Sequence, residues 1–170
     1  MRPRESKMEA TALNTESKTL EIDAVTIRSL TMDDLDTVTR IDEASTQRSR
    51  KDFFRRRIRR SIDESSIYLS LAAELDGAMV GFVTVLFYQG EFGMSDTVAV
   101  LDAIGVHPEF RGRHVASALM RQLEMQLRAL HVETLRTDVE WDQWELLSFL
   151  RNEQFRPVPR LSLEKKLFGR

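Results

Sequence analysis

The chain has 170 residues, which is enough for one domain with a buried core. Its 25 basic and 27 acidic residues give a formal net charge of −2, so the whole chain is not an electrostatic binder of nucleic acid or membranes. The chain has no cysteine, which excludes disulfides, thiolate metal sites and a cysteine acyl-enzyme, and no metal site is expected.

The beginning of the chain differs in composition from the rest. Residues 1–21 are rich in Ser, Thr, Glu and Lys without periodicity, which predicts a disordered tail before a single domain at 22–170. The charged N-terminus has no apolar segment behind it, and the longest nearly apolar run, residues 78–88, is too short to span a bilayer. We therefore expect a cytoplasmic protein without a membrane span.

The first half of the domain predicts strands and helices in turn. Residues 25–30 predict a strand, and Thr31 is the expected N-cap of a helix that reaches about Ala44. Residues 48–62 predict a second helix whose apolar stripe consists of Phe54, Ile58 and Ile62. Two strands, 67–75 and 79–88, flank an Asp76-Gly77 pair, which is a strong signal for a hairpin.

The second half predicts a central strand followed by a buried helix. Residues 98–106 are apolar on both faces except at Asp102, as expected for a strand covered on two sides. A strand at 132–139, a helix at 143–153 and a final strand at 161–167 follow. The expected fold is α/β, with a mixed sheet of six to seven strands and about four helices. The helix after the central strand has a stripe that we expect to be buried: Val115, Leu119, Leu123, Leu127 and Leu130.

The most informative segment, Ile104–Ala116, leads from a strand through a Pro/Gly turn into that helix. The first turn of a helix leaves backbone N–H groups without partners, and the helix dipole adds partial positive charge there. Gly112 permits close backbone approach, and Arg111 and Arg113 add positive charge. This pattern predicts an anion site that suits a phosphate. The chain contains neither G-x-G-x-x-G nor G-x-x-x-x-G-K-[ST].

The loop Arg111–Ala116, preceded by Val106-x-Pro108, resembles the pyrophosphate loop of the GNAT superfamily of acyl-CoA-dependent N-acyltransferases. The family's loop is Arg/Gln-x-x-Gly-x-Gly/Ala, and His114 stands here at the usual Gly. The order of the predicted elements over about residues 22–168 also resembles that family. The resemblance implies a GNAT-like fold that uses acetyl-CoA and acetylates an amine-bearing acceptor, either a small molecule or a protein, by direct attack in a ternary complex.

The resemblance also implies which residues contact the cofactor. The backbone of Ile104, Gly105 and Val106 would pair with the pantetheine arm. Gly105 is either a bulge that opens the slot for this arm or a close-packing glycine. Gln143 aligns with a frequent Asn at the start of the family's later helix. The N–H groups that would hold the pyrophosphate belong to Arg111, Gly112, Arg113, His114, Val115 and Ala116.

An acceptor amine is mostly protonated at neutral pH, so a general base is useful. Asp102 is the best candidate for a catalytic base because it interrupts an apolar strand where many family members carry an acid. The alternative is that Asp102 faces a solvated edge or pairs with an arginine. Weaker candidates are Glu91, Asp96 and His107.

The residues expected around the leaving thiolate depart from the family. The family's usual tyrosine aligns with Leu150, which cannot donate a proton, and the usual Gly before Phe155 is Gln154. Solvent, Ser148 or one of the two tyrosines, Tyr68 and Tyr88, could protonate the thiolate instead, and a non-catalytic acyl-CoA-binding domain is an alternative. The aromatic residues that could enclose the thioester, or simply belong to the core, are Trp141, Trp144 and Phe149.

Arg48–Arg60 carries eight basic residues and one acid, which offers a function from another class. Such a helix could bind nucleic acid or an anionic surface, recruit an acidic acceptor, or be an ordinary solvated face. The low net charge makes nucleic acid the less favoured partner, and a homodimer is compatible with the sequence.

Overall fold

The structure is a computed structural model that describes residues 25–64, 68–89 and 97–168. It divides into two compact units, with the boundary between Asp138 and Val139. The expected tail at residues 1–21 and the candidate bases Glu91 and Asp96 lie outside the described residues. None of the helices in the described ranges is both long and apolar enough to cross a membrane.

The first unit is built on a sheet of five strands that lie in chain order. Neighbours among the first four strands are antiparallel, and the fifth runs parallel to the fourth. Asp76 and Gly77 form the turn between the second and third strands. Their φ angles are +52° and +76°, and tight two-residue hairpin turns commonly need positive φ at both residues. The hairpin prediction is confirmed. The strands are β1 Thr26–Ser29, β2 Tyr68–Leu75, β3 Ala78–Gln89, β4 Thr97–Val106 and β5 Thr134–Arg136.

Helices α1 Leu35–Thr46, α2 Lys51–Asp63 and α3 Val115–Ala129 cover both faces of this sheet. On β3, a Cβ at Gly81 would meet side chains of α3, whereas Phe82 belongs to the core cluster that includes residues of α1 and α2. Because successive strand residues point to opposite faces, α3 lies across the sheet from α1 and α2. The parallel pairing of β4 and β5 is possible because α3 makes the crossover between them.

The start of α1 is fixed by hydrogen bonds that converge on Asp34, at the end of a short 3-10 turn, Met32–Asp34. The Asp34 carboxylate accepts the Thr31 N–H at 2.8 Å, as expected for a capped helix start, and two Arg28 hydrogen bonds at 2.7 and 2.8 Å. Burial alone would raise the pKa of Asp34, but the hydrogen bonds from Arg28 and Thr31 hold that pKa below its usual value.

Two residues of the predicted apolar stripes are exposed. Leu130 is 59% exposed because it follows the last residue of α3, and Ile62 is 53% exposed in the last turn of α2. The other four residues of the predicted α3 stripe are buried. α2 begins at Lys51 rather than Arg48, since Gln47 ends α1 in a left-handed conformation with φ of +54°.

The second unit contains α4 Trp144–Asn152. The prediction of a strand at 161–167 is wrong. Leu161 and Leu163 are 88% and 89% exposed, and no described strand pairs with this segment. Alternating leucines form a strand only where another strand accepts their backbone hydrogen bonds. The α/β class and the number of helices are confirmed, but the described sheet has five strands instead of six to seven.

Candidate functional site

β4 is paired along both edges only in its first half. The parallel pairing with β5 is limited to Val98, Ala99 and Val100. At the next residue the Thr137 hydroxyl donates to the Leu101 carbonyl at 3.0 Å, and beyond it β4 continues to Val106 with only β3 as a partner strand. Among the described residues, the second edge of β4 is therefore open after Leu101, and its backbone groups are available to an extended ligand.

A β-bulge interrupts β4 where this open edge begins. Leu101 lies opposite Val85 and Ala103 opposite Thr84, so Asp102 is the extra residue. A bulge changes the direction of the side chains around it. Here it brings Asp102 to the face of the sheet that carries α2, because the Asp102 side chain meets Arg57 of that helix.

Gly105 is a close-packing glycine and not the bulge. A Cβ at Gly105 would lie 2.7 Å from the Phe82 ring and 3.0 Å from the Ile41 side chain. The strand can pass this near to α1 only because the residue has no side chain. Of the two interpretations offered for Gly105, the structure supports close packing and places the bulge three residues earlier.

The loop after β4 ends in two left-handed residues, Gly112 with φ of +76° and His114 with φ of +59°. α3 begins at Val115, and the hydrogen bond from the Ala118 N–H to the His114 carbonyl, 2.9 Å, closes its first turn. The N–H groups of Val115 and Ala116 precede that bond, at the positive end of the helix dipole. The first turn contains no acidic residue that would repel an anion.

The left-handed φ of His114 explains why the loop that the sequence resembles usually has glycine at this position. A left-handed conformation is readily adopted by glycine and costs other residues about 1 kcal/mol. His114 therefore carries backbone strain that a glycine at this position would not.

The polar side chains of the loop are held by neighbours. The Arg111 guanidinium donates to the Ser45 hydroxyl of α1 at 2.8 Å, and the Arg113 guanidinium lies 5.4 Å from the centre of the Phe110 ring. The His107 N–H donates to the Val80 carbonyl at 2.8 Å, and the His107 ring caps the short helix Pro108–Phe110. His107 thus has a structural role that accounts for it without catalysis.

Asp102 forms an ion pair with Arg57, one of the two alternatives to catalysis that the sequence left open. Asp102 Oδ2 lies 2.7 Å from Arg57 Nε, and the side chains are 20% and 15% exposed. Neither of these two atoms is accessible to solvent or aligned in a hydrogen bond. Their contact is an ion pair without a directed hydrogen bond, which leaves hydrogen-bonding capacity unused at a largely buried place.

Arg57 is fixed by two aromatic rings. Its guanidinium carbon lies 5.2 Å from the centre of the Phe53 ring and 5.3 Å from that of Tyr68. The sequence analysis did not single out Arg57. Arg57 follows Phe53 by four residues and precedes the buried Ile58. This position on the helix distinguishes it from the outward-facing arginines.

A second arginine lies near this pair. Arg50 binds the buried Asp42 carboxylate through two hydrogen bonds of 2.8 and 2.5 Å. The pKa of Arg50 is raised, mainly by these bonds to Asp42 and further by the charge of Asp102. The environment of Asp102 is therefore more cationic than its strand suggested.

Most cations of the basic helix have partners within the chain. Arg50 and Arg57 are paired as described, Lys51 lies 2.6 Å from Asp36, and Arg60 donates to the Tyr68 hydroxyl at 2.9 Å. Arg55 pairs with Asp52. Among the described residues, this leaves three exposed arginines without a partner, namely Arg48, Arg56 and Arg59.

The remaining predicted residues belong to the second unit. Gln143 is the N-cap residue of α4, and the Leu150 side chain is buried. Trp141 and Trp144 are 86% and 74% exposed, so neither belongs to the core of this unit. The predicted cofactor contact of Gln143 stays a prediction.

Solved structures with this fold include several N-acetyltransferases. An aminoglycoside 6'-N-acetyltransferase from Acinetobacter haemolyticus is 17% identical with a TM-score of 0.71, covering 85% of this chain and 99% of that chain. A ribosomal-protein-alanine N-acetyltransferase from Brucella melitensis is 22% identical with a TM-score of 0.65, covering 86% and 100%. A third structure, of AAC(6')-Iy in complex with the bisubstrate analogue CoA-S-monomethyl-acetylneamine, is 18% identical with a TM-score of 0.70, covering 84% and 97%.

These identities establish similarity of fold and nothing finer. The family comparison goes further, because residues 30–146 match the GNAT acetyltransferase family model. That range contains all of β4, the loop after it and α3, which were the basis of the resemblance in the sequence. Since the match extends over well more than half of the sequence, the chain belongs to the GNAT acetyltransferase family.

Proposed function

We propose that this protein transfers an acetyl group from acetyl-CoA to a primary amine by direct attack in a ternary complex. The observation that carries the proposal is the open edge of β4, which leads directly into the loop before α3. Acetyl-CoA is the acyl donor that the family uses, and it supplies the activated thioester carbonyl. The absence of cysteine supports direct transfer, since a cysteine acyl-enzyme is excluded.

The residues present fit this cofactor. The second half of β4, with Ile104, Gly105 and Val106, has backbone N–H and C=O groups on its open edge, which suit the amide groups of a pantetheine arm. The amides from Arg111 to Ala116 suit the pyrophosphate, because they lie at the positive end of α3 and Gly112 and His114 adopt left-handed conformations there. No acidic residue of the first turn opposes the anion.

Asp102 remains the proposed catalytic base. It lies at the bulge where β4 parts from β5, two residues before the backbone assigned to the pantetheine arm. Next to the Arg57 guanidinium, the Asp102 carboxylate is placed to accept a proton from an amine, directly or through water. The sequence analysis treated pairing with an arginine as an alternative to catalysis. In this proposal Asp102 is both the partner of Arg57 and the catalytic base.

No side chain is assigned as a general acid. Leu150, which aligns with the family's usual tyrosine, carries no proton to donate. We propose that solvent protonates the leaving thiolate. A thiolate is a fair leaving group, because the pKa of the corresponding thiol is only about 8.5. The proposed location is the cytoplasm, and a homodimer stays a prediction.

The test combines binding with turnover. Calorimetric titration with acetyl-CoA and CoA, and with ATP as control, should give micromolar binding of the CoA species and little for ATP. Release of free CoA is then followed with a thiol reagent over a panel of amines, and the cysteine-free protein contributes no background. Failure of the CoA species to bind would contradict the proposal. Binding without amine-dependent thiol release would favour a non-catalytic acyl-CoA-binding domain.

A binding module that acts through Arg48–Arg60 is the second candidate. The three exposed arginines without partners favour it, whereas the internal ion pairs of the other cations count against it. Affinity for a nucleic acid should fall steeply as salt rises, because binding to phosphates releases counterions. CoA held mainly by backbone groups should respond less to salt.

A further inference from the structure

We infer that the Arg57–Asp102 pair selects the acceptor, and that the acceptor is a small zwitterion, an α-amino acid that carries its carboxylate next to the reacting amine. This inference rests on the proposed function, because it concerns the acceptor side of the same site. A zwitterionic acceptor would distinguish this protein from acetyltransferases that act on polycations.

The first support is that opposite charges are presented side by side. Asp102 Oδ2 and Arg57 Nε lie 2.7 Å apart without an aligned hydrogen bond between them. The other polar atoms of the pair, Asp102 Oδ1 and the two Nη nitrogens of Arg57, are not fully buried and have no hydrogen-bond partner among the described residues. A ligand can therefore bind to both members of the pair.

The second support is that the Arg57 guanidinium is pre-oriented. Phe53 and Tyr68 lie against it at 5.2 and 5.3 Å, and Asp102 occupies its Nε side. These contacts leave the end that bears both Nη nitrogens, a fork that matches the two oxygens of a carboxylate. Little side-chain freedom remains to be lost when a carboxylate binds.

The third support is the charge of the surroundings. The described charged groups near the pair include the cations Arg50 and Arg60 and the anion Asp42. Asp42 is already bound by Arg50 through two hydrogen bonds. A polyamine or aminoglycoside would thus meet the guanidinium groups of Arg50, Arg57 and Arg60, which oppose the binding of a polycation.

An α-amino acid fits both members of the pair at once. Its amine and carboxylate are attached to the same carbon, so a carboxylate bound by the Nη nitrogens of Arg57 keeps the amine near Asp102. The amine can then transfer a proton to Asp102 before it attacks. Recognition by Arg57 and deprotonation by Asp102 become one event, which requires the carboxylate to be adjacent to the amine.

The experiment compares L-methionine with L-methioninamide, which differ only in the carboxylate, and includes spermidine as a polycation. The variants are Arg57→Gln and Arg57→Lys, with Arg59→Gln as the matched control, because Arg59 is exposed on the same helix without a partner among the described residues. kcat/KM for L-methionine should exceed that for the amide by at least 10-fold, and spermidine should be the poorest acceptor. Arg57→Gln should reduce this preference by about 10- to 100-fold, the size expected for a charge-assisted hydrogen bond.

Arg57→Lys should retain part of the preference, and Arg59→Gln should retain all of it. Preference for the amide or for spermidine would overturn the inference, and so would an unchanged preference in Arg57→Gln. Calorimetry of N-acetyl-L-methionine, with and without CoA, supplies a readout independent of turnover. If CoA fails to bind, the proposed function fails; if CoA binds but N-acetyl-L-methionine does not bind, or binds equally well to Arg57→Gln, only the inference about the acceptor fails.

Discussion

The two halves of β4 differ in how they are held, although they belong to one continuous strand. Residues 98–100 have a strand on each side, and Val98, Ala99 and Leu101 are buried. From Asp102 to Val106 only β3 pairs with the strand, and every residue is partly exposed. The first half stabilises the sheet, whereas the second has backbone and side-chain groups available for ligands.

The difference shows how one strand can serve stability and binding. Regular pairing requires backbone groups to be used within the sheet, and binding requires some to remain unused. The bulge at Asp102 separates the two demands, because pairing with β5 ends next to it. Changes in the first half should therefore affect stability, and changes in the second should affect ligands.

The largest expected effect tests the two halves directly. Leu101→Ala should lower the free energy of unfolding by about 3 kcal/mol, since it leaves a cavity in a buried region, whereas Ile104→Ala should cost about 1 kcal/mol. Denaturant unfolding measures both changes, and CoA affinity is measured on the folded proteins. Equal losses of stability in the two variants would mean that the halves are not distinct.

Asp102→Asn should reduce turnover by about 100-fold, the contribution expected of a general base. The loss should be greatest at lower pH, where more of the amine is protonated and needs a base. CoA binding should be spared, because the CoA contacts are assigned to the backbone of residues 104–106 and to the loop. An unchanged pH–rate profile would remove Asp102 from the role of base.

Gly105→Ala tests whether close packing belongs to the second half as well. The added Cβ would lie 2.7 Å from the Phe82 ring, so we expect a loss of about 2 kcal/mol in stability. Gly112→Ala is the control, because no heavy atom lies within 4 Å of its Cβ position and only its left-handed backbone opposes the change, at about 1 kcal/mol. A smaller loss at Gly105 than at Gly112 would contradict the packing argument.

The smallest effect is expected at the loop that extends the second half. His114→Gly should stabilise the protein by up to about 1 kcal/mol, because it relieves a left-handed conformation with φ of +59°. It should also tighten CoA binding if the imidazole crowds the pyrophosphate. Calorimetry that gives equal or weaker CoA affinity would count against crowding, and thermal unfolding would test the strain independently.

Much of the fold was predictable because local signals agree with one another. The Asp76-Gly77 turn, the Thr31 helix start and the buried α3 stripe from Val115 to Leu127 depend on residues close in sequence, and all three are confirmed. The strand at 161–167 was wrong because its alternation is local but its partner is not. The sequence left a bulge and close packing open at Gly105, because glycine occurs in both; the structure supports close packing there and has the bulge at Asp102, opposite the junction of Thr84 and Val85.

The sequence by itself determined the α/β class, the loop from Arg111 to Ala116 and the family. Strand-to-helix transitions and phosphate loops depend on residues that are neighbours in the sequence. Only the tertiary structure decided that β4 loses β5 as a partner after Val100, and that Asp102 meets Arg57, 45 positions earlier in the chain. The physical reason is that pairing register and side-chain contact depend on distant segments folding together. Distances in space between such segments are not encoded in any local pattern.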